Sequence, residues 1–287
     1  MVISGKGGTG KTTLVASFAV LARGKAVLAD CDVDAPDLHL LLRPKCEREG
    51  DFYGLGRARV DRGKCQQCGK CASVCRFEAL VWEPGRYPEV DPVGCEGCGA
   101  CEVVCPRGAI RIEPRPAGKW YVAETPYGPM VHARLNPGEE NSGKLVRLVR
   151  EEARKVATGR GLPLVICDGP PGIGCPVISS LTGAKVALVV LEPTMAGLHD
   201  AIRVLELTAH FRVFALSCIN KWDINPKVAS EIERTLGGRG VPVLAKIPYD
   251  EEVPKAISSG LPLVEFSHGP ASRAVQFLWE AIEEWLF

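Results

Sequence analysis

Residues Gly5-Lys6-Gly7-Gly8-Thr9-Gly10-Lys11-Thr12 satisfy the pattern G-x4-GK[ST], and no other stretch of this chain restricts its fold so strongly. The apolar run Val2-Ile3 comes directly before them, and a helical pattern of Leu14, Val15, Phe18, Ala19 and Leu21 directly after. A glycine loop between a strand and a helix turns successive backbone N–H groups, and the positive end of the helix dipole, toward one point, which makes a cradle for phosphates. In that cradle Lys11 reaches the β- and γ-phosphates and the Thr12 hydroxyl meets Mg²⁺. An ordinary glycine-rich turn needs neither flank, and both are present. The run before the loop is only about three residues, which suggests a sheet left incomplete at that edge.

Further apolar runs follow at the spacing of alternating strands and helices. Residues 25–30 read as a buried parallel strand ending in the carboxylates Asp30, Asp32, Asp34 and Asp37. Residues 162–167 form another, running into Asp168-Gly169-Pro170-Pro171-Gly172, and residues 186–191 and 213–219 two more, the last leading into Asn220-Lys221-Trp222-Asp223. The pattern predicts an α/β chain with a doubly wound, mostly parallel sheet. Asp after a strand is commonly a helix cap or turn residue. Behind a phosphate loop, Asp168 at a strand's carboxyl end is placed to serve Mg²⁺ and its water, and Asp32 follows the earlier strand in the order that such a loop leads one to expect.

The second constraint is cysteine. Eight of thirteen fall in two runs, Cys65-x2-Cys68-x2-Cys71-x3-Cys75 and Cys95-x2-Cys98-x2-Cys101-x3-Cys105-Pro106. This is the bacterial-ferredoxin spacing, in which the fourth cysteine of each run ligates the other cluster. One [4Fe–4S] cluster would take Cys65, Cys68, Cys71 and Cys105, and the other Cys95, Cys98, Cys101 and Cys75. Gly69, Gly97 and Gly99 allow the tight turns this needs. Zinc is the alternative, but tetrahedral zinc takes pairs from two separated knuckles, which two triple runs do not supply. Arg76 stands after Cys75 where Pro106 follows Cys105, a difference that removes no ligand. Residues 60–115 carry eight basic and eight acidic side chains. Two oxidised clusters at about −2 each would make that segment acidic, so a redox or cofactor-assembly partner is expected to offer a basic docking face.

Lys and Arg number 35 against 34 Asp and Glu, so no positive field gathers nucleic acid. No apolar run nears the roughly 20 residues of a membrane span. The start has no basic segment followed by an apolar stretch, and a cytoplasmic location is expected. The C-terminal segment places Val275, Leu278, Trp279, Ile282, Trp285 and Leu286 on one helical stripe, with Glu280, Glu283 and Glu284 elsewhere, which suits packing on the sheet better than binding anionic lipid.

Gly5 to Thr13, with a lysine after the first glycine, resembles the deviant Walker A motif of the MinD/Mrp and nitrogenase-iron-protein group. Cys31-Asp32-Val33-Asp34-Ala35-Pro36-Asp37 looks like its switch I and Asp168 to Gly172 its switch II. With eight ferredoxin-spaced cysteines between the switches, the chain resembles MinD-type ATPases carrying an inserted two-cluster ferredoxin domain. The resemblance implies ATPase segments at residues 1–58 and 117–287 around a small α+β insert at 59–116. It further implies ATP and ADP, Mg²⁺ and two [4Fe–4S] clusters as cofactors, and a homodimer or heterodimer of related ATPases. Lys6 would reach the partner's nucleotide across the dimer, Asp32 would position the attacking water, Asp168 would serve Mg²⁺, and Asn220, Pro248 and Asp250 would lie near the adenine. Cys175 is spaced from Asp168 like one bridging-cluster ligand of the nitrogenase iron protein, but Asn141-Ser142-Gly143 stands where the other would be. Cys31, Cys46, Cys167 and Cys218 read as packing or exposed residues. The implied function is ATP hydrolysis coupled to electron transfer through the clusters. The alternatives are ATP-dependent assembly or carriage of iron–sulfur or metal cofactors, and a MinD-like positioning ATPase with structural clusters.

Overall fold

A computed structural model describes residues 1–139 and 143–286. They form two compact units, Met1–Gly50 with Trp120–Arg134 and Asn141–Phe287, and Asp51–Lys119 with Leu135–Glu140.

The first unit is built on a sheet of nine strands among the described residues. In spatial order these are β13 (Val243–Ile247), β12 (Phe214–Asn220), β11 (Val186–Leu191), β1 (Val2–Ser4), β10 (Leu164–Pro171), β2 (Ala26–Asp30), β9 (Gly128–Leu135), β8 (Pro116–Thr125) and β3 (Lys45–Tyr53). The pairings from β13 across to β9 are parallel. The short β1 therefore lies inside the sheet and not at an unfinished edge. Its neighbours carry its backbone hydrogen bonds on both sides, so three residues suffice.

Both faces of the central parallel strands are covered, which is why a strand such as β11 is apolar throughout instead of alternating, whereas the edge strand β3 is charged and largely exposed. Along β11, Leu188 and Val190 enter one core and Ala187, Val189 and Leu191 the other. The first core is closed by α1 (Lys11–Leu21), α2 (Leu38–Leu42), α10 (Leu263–Phe266) and α11 (Pro270–Leu286), with Phe18 and Trp279 5.2 Å apart between ring centroids. The second is closed by α6 (Cys175–Leu181), α7 (Met195–His210) and α8 (Pro226–Gly237). Each fully buried Leu, Ile or Phe contributes about 1.5–3 kcal/mol. The remaining helices are α5 (Lys144–Arg160) and α9 (Glu252–Ser258). On α11 the expected stripe is buried from Val275 to Ile282, but Trp285 is half exposed, at 50%, and stacks on the exposed Phe214 at 4.9 Å. No helix of the described residues is long and apolar enough to cross a membrane.

The second unit pairs β4 (Arg57–Val60) with β7 (Ile110–Glu113) and β5 (Leu80–Val81) with β6 (Glu89–Val90), both antiparallel, beside the short helices α3 (Lys70–Ser73) and α4 (Ala100–Val103). Its core is small: Ala58, Leu80 and Ile110 with Cys71 and Cys101. Thiols thus make up much of what this unit buries.

Candidate functional site

The glycine loop delivers Lys11 and Thr12 to the start of α1. Gly10 caps that helix with φ +93°, and no side chain bonds the free N–H groups of the first turn, nor does an acidic residue stand there. A Cβ on Gly10 would lie 2.5 Å from Asn220 Nδ2, whose amide donates to Thr9 O at 2.9 Å. Asn220, at the carboxyl end of β12, therefore braces the loop.

Register then assembles the carboxylates. Asp168 on β10 sits opposite Asp30 on β2, and Val2 of β1 is paired with Asp168 on its other side. Both aspartates are buried, Asp168 to 1% and Asp30 to 0% exposure. Thr12 donates its hydroxyl to the Asp168 carboxylate, while Oδ1 of Asp168 has no hydrogen-bond partner. Burial, with Asp32 and Asp37 adding to it, pushes the Asp168 carboxyl up to about 7 against the pull of Thr12 and Lys11. Asp30 is raised by burial first and then by Asp168, and its two oxygens accept from Asp32 N and Leu38 N, both at 3.2 Å. Asp30 thus ties down the loop that bears Asp32, a positioning role that the strand-end carboxylates only hinted at. Asp32 is half-buried and raised mainly by that burial, with Lys11 opposing. An orphaned buried carboxylate oxygen beside a threonine hydroxyl suits a divalent cation, and the bare first turn of α1 suits phosphates.

Lys6 lies 2.9 Å from Glu192, and Lys221 holds the other oxygen of the same carboxylate at 2.6 Å. The two lysines keep the Glu192 carboxyl below its ordinary range against its partial burial. Glu192 was not singled out by the sequence, although a charge directly after the apolar run of β11 marks it. Asp250 spends both oxygens on the protein, accepting from Glu252 N at 3.0 Å and Ala271 N at 3.2 Å, so its carboxylate anchors the starts of α9 and α11. Pro248 is half-buried just beyond β13.

In the second unit Cys65, Cys68, Cys71 and Cys105 line one small hollow, and Cys75, Cys95, Cys98 and Cys101 line another. These are the same two sets of four that the spacing groups together. Among the described residues no group of three or more His, Cys, Asp or Glu is arranged to hold a metal ion. The close turns hold: Gly69, Gly97 and Gly99 all have positive φ, and a Cβ on Gly97 would lie 2.0 Å from Gly56 O. The chemistry of the donor set, eight thiols in two fours, fits cubane clusters.

Of the other cysteines, Cys31 and Cys167 are buried with their thiols hydrogen-bonded to each other, Cys218 is buried, and Cys46 is exposed. Burial pushes the Cys218 thiol up to about 12. Cys175 is exposed at the head of α6, and of the stretch set against it, Asn141 and Ser142 lie outside the described residues.

A phosphate loop feeding a parallel sheet, with buried aspartates at the ends of the neighbouring strands, defines a P-loop nucleoside triphosphatase. The chain matches the CobQ/CobB/MinD/ParA nucleotide binding domain over residues 1–263, and it belongs to that family. Uncharacterized protein MJ0578 of Methanocaldococcus jannaschii is 34% identical over 290 aligned positions, covering 99% of this chain and 96% of that protein. Among solved structures, MinD of Pyrococcus horikoshii complexed with Mg-ADP aligns with a TM-score of 0.59 at 18% identity, over 99% of this chain and 95% of that one. The cell division ATPase MinD of Pyrococcus furiosus aligns at 0.58 and 20%, over 99% and 98%. At such identities these two show the fold. They carry nothing on the thiol sets.

Proposed function

We propose that this chain is a nucleotide-switched ATPase of the MinD/ParA type, converting ATP and water to ADP and phosphate, with two [4Fe–4S] clusters in its second unit. The observation that carries the ATPase reading is Asp168: a buried carboxylate, one oxygen bonded by Thr12 and the other without a partner, beside an uncapped helix start.

The residues divide the work of phosphoryl transfer, which is mainly positioning and charge neutralisation. Gly5 to Gly10 present backbone N–H groups to the phosphates, with Lys11 at the β/γ end and Thr13 one turn-step behind. Thr12 and Asp168 would hold Mg²⁺, which supplies charge neutralisation between the phosphates. Asp32 orients the water, on a loop steadied by Asp30. Lys6 would have to leave Glu192 to reach a nucleotide held by a second subunit, which makes pairing part of turnover. Asn220 steadies the loop from the side where adenine would lie, with Pro248 and Asp250 beyond it.

The clusters, when bound, supply one-electron chemistry, and the protein's part is to hold them with the two interlocked sets of four thiols. The likeness to MinD fits a positioning ATPase better than electron delivery, and in that reading the clusters would brace the small core of the second unit. Electron transfer, with a redox partner, keeps the support of two neighbouring four-thiol hollows, and cofactor carriage is third. Anaerobically purified protein is expected to hold about eight irons per chain. Zinc in their place overturns the cluster half of the proposal. A midpoint potential that does not move with nucleotide sinks electron coupling and leaves the bracing role.

A further inference from the structure

We infer that the two thiol sets are electrochemically unequal, and that Cys65, Cys68, Cys71 and Cys105 form the site of higher reduction potential. The inference rests on the cluster reading above. Two independent features of the chain's own residues point the same way.

The first is charge at the rim. Lys70 and Arg107 line the hollow of the Cys65 set, and Arg107 is fixed there by donating Nε to Gln66 Oε1 at 3.1 Å. Glu96 is the charged residue lining the hollow of the Cys75 set. The second is hydrogen bonding to sulfur. Gln67 N donates to Cys65 Sγ at 3.4 Å and Ala109 N to Cys105 Sγ at 3.2 Å, while in the other set Ala58 N donates to Cys95 Sγ at 3.4 Å. Reduction adds one negative charge to a site already near −2. Cations and N–H donors beside it stabilise the reduced form, and a carboxylate opposes it. The rim charges face solvent, so their effect is moderate and salt-dependent. An electron taken up by this unit would therefore settle at the Cys65 set.

The test is an anaerobic dithionite titration of the iron-loaded protein followed by electron paramagnetic resonance, each site taking one electron from the reductant. The wild type should show two midpoints. Lys70→Gln with Arg107→Gln should lower the upper one, making reduction there about threefold to tenfold less favourable, where tenfold is about 59 mV for one electron. Glu96→Gln should raise the lower one and leave the upper. Coincident midpoints, or a Lys70→Gln/Arg107→Gln effect confined to the lower one, would overturn the inference. An iron assay before titration separates the two failures: protein without iron defeats the cluster reading itself, whereas loaded protein with the wrong order defeats this inference alone.

Discussion

Asp168 stores an unfavourable state that a ligand relieves. A carboxylate with one orphaned oxygen, nearly excluded from water, costs stability until a cation answers it. Asp168→Asn is accordingly expected to leave the nucleotide-free protein as stable as the wild type or more so, by up to about 2 kcal/mol. The same variant should lose the Mg²⁺-dependent part of nucleotide affinity, as read by melting with and without Mg²⁺-ADP. A second buried titrating group gives a pH signature. The His132 ring on β9 lies between Tyr121 at 4.9 Å and His39 at 6.1 Å, and burial, then His39, lowers it to about 4 from 6.5. The unfolded chain takes up that proton more readily than the folded one. The contribution of neutral His132 is therefore complete above pH 6.5 and is lost as pH falls toward 4, at most about 3 kcal/mol. Melting temperatures of wild type and His132→Gln should converge across that window, and parallel curves would contradict it. At this scale the sequence was most legible where a motif names the residue, as for Lys11 and Thr12. Asp30 and Glu192 escaped because their roles arise from partners eight and about 190 positions away.

Elements were legible where both faces of a strand are buried, since a run such as residues 186–191 admits few other readings. Their ends were not. The strand expected over 162–167 runs instead from Leu164 to Pro171, carrying Asp168 within it, because β1 pairs along it as far as Ser4 opposite Pro171. Gly169 makes that approach feasible: a Cβ there would lie 2.6 Å from Ile3 and 2.7 Å from Val2 O. Neither the pairing nor the central place of β1 is local information, so no window of sequence holds it. The loop between β1 and α1 is equally unforgiving. Gly10→Ala combines a left-handed φ with a Cβ pressed on Asn220, and should weaken nucleotide binding at least about tenfold while far-ultraviolet circular dichroism stays unchanged. Wild-type affinity in that variant would show that Asn220 can give way without disturbing the cradle.

The molecule joins two devices whose cores differ in kind. The first unit is a large apolar sandwich in which the phosphate loop sits where strand ends and a helix start meet. The second buries so little apolar surface that cysteines occupy its centre. Spacing alone proposes two sets of four thiols, because three members of each set are local and the runs repeat, and each of those sets lines one hollow. What spacing does not carry is the difference between the sets, which depends on side chains such as Arg107 folding back over one of them. At the whole-molecule scale the central claim is that the phosphate loop, Asp32 and Asp168 make this chain an ATPase. Steady-state release of phosphate from Mg²⁺-ATP, measured over a range of protein concentrations for the wild type and Lys11→Ala, tests it most directly. The account predicts measurable turnover whose rate per chain rises with concentration, and a loss of at least about a hundredfold in Lys11→Ala. Turnover in Lys11→Ala equal to the wild type, or none by the wild type at any concentration, would contradict it.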